Sequence, residues 1–255
     1  MPLSLLVWAG SLLLAACSGT KDKPAANDES AAGKGDGKAK VDAKADAKAD
    51  AKADPPPDSK AANGARTWPP DEPGPLPKGF STAETASAGT PAKWAIAQAS
   101  DAPSPPSVFG VVETHNPKTA YNLAIVDGVS MSDVDISVMV KAGTGELDQG
   151  GGPIWRVEDA DNYYIARWNP LENNARFYIV QGGVRSALAK VELELPTEEW
   201  HSLRVVHEGT HMQLFIDDEP VLQADDAVHA GPGTIGLWTK ADAATMFDDL
   251  SVIAP

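Results

Sequence analysis

The stretch Asp133-Val134-Asp135-Ile136-Ser137-Val138-Met139-Val140 sets a β-branched apolar residue at every second position. Successive side chains of a strand point to opposite faces, so this spelling buries Val134, Ile136, Val138 and Val140 on one side of a sheet. The same period returns downstream. Leu203 and Val205 lead through Glu208-Gly209 to Met212, Leu214 and Ile216, which reads as a hairpin with its glycine at the turn. Asp217-Asp218-Glu219-Pro220 makes the next turn, and Ile235, Leu237, Leu250 and Val252 mark two late strands. Pro and Gly punctuate the chain from Trp68 to Pro255, and no stretch there carries a helical period. A dozen or more candidate strands in about 175 residues predict an all-β domain, a two-sheet sandwich of jelly-roll type spanning 68–255.

The residues before it have another character. The chain holds 21 basic and 36 acidic residues, and nine of each fall between 21 and 60. The whole net charge of −15 therefore belongs to the rest of the chain. An acidic domain of this kind excludes nucleic acid as a partner and argues against polybasic docking on lipid. Residues 17–67 are rich in Ala, Lys, Asp, Gly and Pro. In the repeat around Lys44, Lys48, Lys52 and Asp46, Asp50, Asp54, residues four apart carry like charges, which disfavours a helix. This segment reads as a disordered tether, whose roughly 50 residues span about 40 Å as a flexible coil.

Cys17 is the single cysteine, so no intramolecular disulfide is possible. It closes the tetrad Leu14-Ala15-Ala16-Cys17 after an apolar run from Leu3, and this resembles a bacterial lipobox. The run is too short to span a bilayer core, which needs about 20 residues. The resemblance implies a signal peptide over 1–16, cleavage before Cys17, and a lipid on its thiol. Ser18, rather than Asp, follows the cysteine, which implies the outer membrane of the cell envelope under the sorting rule of such lipoproteins.

The densest polar and aromatic block runs from Gly151 to Tyr178. Strand alternation turns Trp155, Val157, Tyr164, Ala166, Trp168, Phe177 and Ile179 to the core. It turns Arg156, Tyr163, Arg167, Asn169, Arg176 and Tyr178 the other way. Three neighbouring strands would then gather Arg156, Arg167 and Arg176 on one face with Tyr163 and Tyr178 beside them. Guanidinium forks suit hydroxyls and carboxylates, and aromatic faces suit sugar rings, so one reading is a glycan-binding face that includes Trp238 and Lys240. The other is a ladder of ion pairs with Glu158, Glu172 and Asp242 that binds nothing.

The residues Gly151-Gly152, Trp155-Arg156, Asp161-Asn162-Tyr163-Tyr164, Ala166-Arg167-Trp168-Asn169-Pro170-Leu171-Glu172, Asn174, Arg176, Trp200-His201, Gly236-Leu237-Trp238-Thr239-Lys240-Ala241-Asp242 and Phe247-Asp248-Asp249 resemble the 3-keto-disaccharide hydrolase-like domain of the concanavalin A-like lectin/glucanase superfamily. The resemblance covers 150–253. It implies a concanavalin A-like jelly roll and a carbohydrate setting, with a glycan or small saccharide as partner; turnover does not follow from the fold.

Glycoside hydrolysis needs two carboxyls at a set separation. Laminarinase-type relatives carry Glu-x-Asp-x-Glu on a strand. Here Glu146-Leu147-Asp148-Gln149-Gly150 lacks the third carboxylate and reads as a solvated loop. If the domain is a glycoside hydrolase, Glu172 or Asp242 is the candidate acid/base. Asp248 shares a strand face with Leu250 and Val252 and is expected to point inward. A buried carboxylate needs a partner, either Lys240 or Arg156, or a structural calcium such as jelly-roll sugar binders carry. His207-x-x-x-His211 imitates a ligand pair across a turn, without the third ligand that zinc requires.

Overall fold

The computed structural model describes residues 65–68, 72–88 and 90–255. Cys17, the leader and nearly all of the expected tether lie outside the described residues. Sixteen strands follow in order: β1 (Arg66–Trp68), β2 (Gly74–Pro75), β3 (Phe80–Glu84), β4 (Lys93–Gln98), β5 (Ser107–Glu113), β6 (Tyr121–Val126), β7 (Val134–Lys141) and β8 (Gly152–Asp159). Then come β9 (Asn162–Asn169), β10 (Asn174–Gln181), β11 (Val184–Glu192), β12 (His201–Glu208), β13 (His211–Ile216), β14 (Glu219–Asp225), β15 (Thr234–Lys240) and β16 (Met246–Ile253). They form two antiparallel sheets. One runs β14-β13-β12-β7-β16-β5-β4-β2, with β1 also on β16; the other runs β11-β10-β9-β8-β15-β6-β3. This is the expected all-β jelly-roll sandwich.

Strand β7 alternates buried and half-buried residues along its whole length, as its spelling requires. Its Val134, Ile136, Val138 and Val140 meet Trp155, Tyr164, Trp168, Phe177 and Leu237 from the facing sheet in one core. The hairpin β12–β13 pairs Leu203 with Ile216, Val205 with Leu214 and His207 with Met212. At the β13–β14 turn both Asp217 and Asp218 adopt positive φ, 52° and 66°, a conformation aspartate tolerates better than most side chains.

Two bulges reset the alternation. Arg156 has φ 46°, and the register of β8 shifts there against both neighbours. Trp155 keeps its place in the core, but Val157 joins a second apolar cluster instead of following it inward. Asp249 has φ 49°, and the register of β16 against β7 shifts between Asp248 and Ser251. Phe247, Leu250 and Val252 are the core residues of β16, while Asp248 lies opposite Met139.

The seven-stranded sheet is also covered on its outer face. Leu123, Ile154, Val157, Tyr163, Ile165, Tyr178, Val180 and Trp238 form the second cluster there. A tight turn at Thr85–Ser87 lies against it: the hydroxyls of Thr85 and Tyr163 are 2.6 Å apart, and the Ala86 N–H donates to Asp161. Strand β9 is consequently buried from Tyr163 to Asn169 on both faces.

Candidate functional site

The hairpin β9–β10 places Arg167 directly opposite Arg176, and Arg176 directly opposite Lys190 on β11. Three cations thus stand side by side across three strands. Like charges in that position repel, so the row needs counter-charge. Glu172, in the hairpin turn, supplies part of it. Its Oε2 accepts from Arg167 Nη2 at 2.8 Å and lies 3.6 Å from Arg176. Asn174 Oδ1 accepts from Arg167 Nη2 at 2.9 Å and from Arg176 Nε at 3.3 Å. Lys190 pairs with Glu192. Burial alone would raise the Glu172 carboxyl, but the Arg167 charge and hydrogen bonds from Arg167 and Asn174 outweigh it and hold it down at about 2.

Arg167 is fully buried, and its Nε and Nη1 have no hydrogen-bond partner. Around it the polar groups belong to two loops. Asn169 Nδ2 donates to Asp148 Oδ1 at 2.9 Å, and Asn169 Oδ1 accepts from the Glu172 N–H at 3.2 Å. Asp148 Oδ2 is 3.2 Å from Lys240 Nζ. Burial pushes the Asp148 carboxyl up, against the opposing pull of Arg167 and Lys240. Asp148 is therefore part of the cluster and only 1 % exposed, which corrects the solvated-loop expectation. Asp242 is the cause. Its carboxylate accepts the N–H groups of Glu146, Leu147 and Asp148 at 2.8 to 3.1 Å, folding the loop onto the end of β15. Burial opposes its ionisation, but these N–H donors together hold it below the ordinary aspartate range. Asp242 is a loop anchor.

The aromatic residues are placed on the expected face but are not free platforms. Trp238 and Tyr163 are fully buried, and Tyr178 is 4 % exposed. Burial pushes the Tyr163 hydroxyl well above its ordinary value. Arg185, which sequence reasoning passed over, accounts for much of the cover. Its Cζ is 4.2 Å from the centroid of Tyr178, 4.9 Å from Tyr121 and 5.7 Å from Trp238. In the sheet order β11 and β6 are five places apart, about 24 Å on a flat sheet. One side chain reaches both only because the sheet curls, so this face is concave and Arg185 bridges it. The signal available in the sequence was a lone arginine on an otherwise uncharged stretch, Val184 to Ala189.

Two expected members, Arg156 and Asp248, lie elsewhere. Arg156 does not join Arg167 and Arg176; Lys190 is the third cation of the row. The bulge turns Arg156 to the other end of the sheet, where it donates to the carbonyls of Ser132, His229 at 3.0 Å and Gly209 at 2.8 Å and stays buried. Asp248 pairs with neither Lys240 nor Arg156. Its oxygens accept the N–H groups of Ser104 and Asp249, each at 2.8 Å, and burial raises its carboxyl. Among the described residues no three His, Cys, Asp or Glu side chains stand together as a metal site. His207 and His211 also part: His207 takes the indole N–H of Trp155 in the core, and His211 pairs with Asp225. A depression of about 490 Å³ lined by Asp127, Gly128, Glu158 and Pro232 lies at the opposite end of β15 from Lys240 and contains none of these groups.

No protein-family model matches the chain. It is 24% identical over 131 residues to the levanase of Bacillus subtilis (strain 168), a match spanning 50% of this chain and 19% of that enzyme. Among solved structures it is similar to the carbohydrate-binding module CBM66 from Bacillus subtilis, with TM-score 0.55 and 19% identity over 69% of this chain and 95% of that one. A protein of unknown function with a galectin-like fold from Bacillus subtilis gives TM-score 0.49 and 11% identity over 69% and 90%. The module's likeness agrees with the two-sheet topology: the domain has a jelly-roll fold shared with a carbohydrate-binding module.

Proposed function

We propose that this domain binds a saccharide at the Arg167–Glu172–Arg176 row and does not cleave it. The observation that carries the reading is Arg167, buried yet with two donor nitrogens unpartnered, beside Glu172, which accepts, and Arg176, which is partly open to solvent. Sugar hydroxyls both donate and accept, so a mixed guanidinium, carboxylate and amide cluster suits them. Leu171, 51% exposed at the hairpin tip, offers an apolar surface next to Glu172. The fold shared with a carbohydrate-binding module, the partial similarity to a levanase and the resemblance to 3-keto-disaccharide hydrolase-like domains all support a carbohydrate setting. Binding is favoured over hydrolysis by Glu172 or Asp242 because a general acid must hold a proton near neutral pH and both are held ionised. Asp148, whose carboxyl burial pushes up, is closed in between Asn169 and Lys240 and is only 1 % exposed.

The leader and the segment after it complete the reading: a lipoprotein anchored through Cys17 in the cell envelope, at the outer membrane, with the jelly roll carried C-terminal to residues 17–67. Incorporation of radiolabelled palmitate into the wild type and not into Cys17→Ser tests the anchor. A glycan array probed with wild type and with Glu172→Gln and Arg176→Gln, followed by product analysis on any ligand, tests the site. Binding lost in both variants with no new reducing ends is expected. Unchanged binding in both folded variants would move the site elsewhere, and release of free sugar would make the domain an enzyme.

A further inference from the structure

Cations outnumber carboxylates on the outer face of the seven-stranded sheet, on a chain whose net charge is −15. Arg167, Arg176 and Lys190 stand opposite one another, Lys240 closes one end, and Arg185 lies over the middle. Glu172 is shared between Arg167 and Arg176, Asp148 serves Lys240, and Glu192 serves Lys190. Arg185 has no ion pair among the described residues. Two of these guanidinium groups touch the same ring: Arg167 Cζ lies 5.5 Å and Arg185 Cζ 4.2 Å from the centroid of Tyr178. Both carry unpartnered buried nitrogens, Nε and Nη1 of Arg167 and Nη1 of Arg185. Buried donors without acceptors are costly, and costlier when charged.

We infer that the saccharide bound here is acidic, and that its carboxylate is taken by Arg185 and Arg167 over the Tyr178 ring. The inference rests on the saccharide-binding reading and narrows it. A neutral sugar could satisfy the vacant donors with hydroxyls, but it would leave the excess of cations over Glu172, Glu192 and Asp148 in place. A carboxylate meets both needs: it accepts two parallel N–H bonds from a guanidinium and supplies the missing negative charge. The acidity of the whole domain does not forbid this. At physiological ionic strength the screening length is about 8 Å, so a bound anion feels the adjacent cations far more than carboxylates on distant surfaces. Arg185 is the natural specificity residue. It comes from an edge strand, is half-buried, and is held by aromatic contacts rather than by an ion pair that would have to be broken.

The test uses the full chain and calorimetric titration with oligosaccharides of galacturonate, glucuronate and mannuronate, each beside its carboxyl-reduced neutral counterpart. At least one acid is expected to bind about tenfold or more tightly than its neutral partner, since a charge-assisted hydrogen bond commonly exceeds that ratio. The preference should shrink as salt is raised. Arg185→Gln should collapse the acid-over-neutral affinity ratio from about tenfold or more to about one, both sugars being measured on the same variant. Circular dichroism on Arg185→Gln confirms folding, and because Arg185 is not in the main core its loss does not threaten the sandwich. If a neutral sugar binds as tightly as its acid, and Glu172→Gln abolishes that binding, the saccharide reading stands and the acidic inference falls. Equal acid preference in wild type and Arg185→Gln also overturns it. If neither acids nor neutral sugars bind, both fall.

Discussion

His207 makes the stability of this domain depend on pH in a calculable window. Its imidazole and the Trp155 indole are fully buried between the sheets. The Trp155 Nε1–H donates to His207 Nδ1 at 2.8 Å, which fixes the neutral tautomer with its proton on Nε2. Protonating Nδ1 would set two donors against each other, inside the core and near the Arg156 guanidinium. Burial is the larger cause, and the Arg156 charge the second, of a fall from 6.5 to about 4. In the unfolded chain the same imidazole titrates near its ordinary value. Between about pH 6.5 and pH 4 the unfolded state therefore binds a proton that the native state refuses. Stability is full above the upper limit and declines as pH falls through the window, by about 3 kcal/mol in all. Below the lower limit both states are protonated and this contribution stops changing.

Other groups titrate over the same range, so the quantity to follow is the difference between wild type and His207→Asn. Asparagine retains an acceptor for the Trp155 indole but has no proton to gain. Urea unfolding followed by tryptophan fluorescence, from about pH 7 to pH 4, should show wild type losing about 3 kcal/mol relative to the variant. The His207 imidazole should titrate near pH 4 by NMR. Parallel stability curves, or an imidazole that titrates near 6.5, would refute the argument.

Glu172→Gln should cost about 2 kcal/mol in urea unfolding, because it removes the carboxylate that accepts directly from the buried Arg167 guanidinium. Asp242→Asn should speed hydrogen exchange at the amides of Glu146, Leu147 and Asp148 with little effect on amides of β7, a pattern visible by NMR; unchanged exchange would deny the anchoring role. Gly152→Ala should lower stability by about 3 kcal/mol, since an added Cβ would sit 2.0 Å from the Ala166 carbonyl oxygen, and a thermal melt checks this.

Much of the sandwich was legible because alternation is a local property. The faces of β7, β9, β10 and β12 follow from their spelling, and Arg167 and Arg176 meet as the pattern requires. The alternation failed where a bulge intervenes. Nothing in Trp155-Arg156-Val157 or Asp248-Asp249-Leu250 announces an extra residue, since a bulge is defined by the count on the partner strand. Arg156 was misplaced for that reason, and Asp248, buried as expected, lies on the other face of its strand beneath Ser104. Asp148 was missed because its burial comes from Asp242, 94 positions away. Trp238 and Tyr178 read as exposed platforms because a strand pattern reports which face a ring takes, not what lies over that face.

The sequence by itself determined the period-2 strands, the jelly-roll class, the acidic charge of the domain and the adjacency of two arginines across one hairpin. Side-chain direction within a strand depends only on near neighbours along the chain. The tertiary structure alone decided that the seven-stranded sheet curls enough for Arg185 to reach Tyr121 and Trp238, and that Lys190 rather than Arg156 completes the cationic row. Curvature and cross-sheet reach arise from long-range pairing and packing.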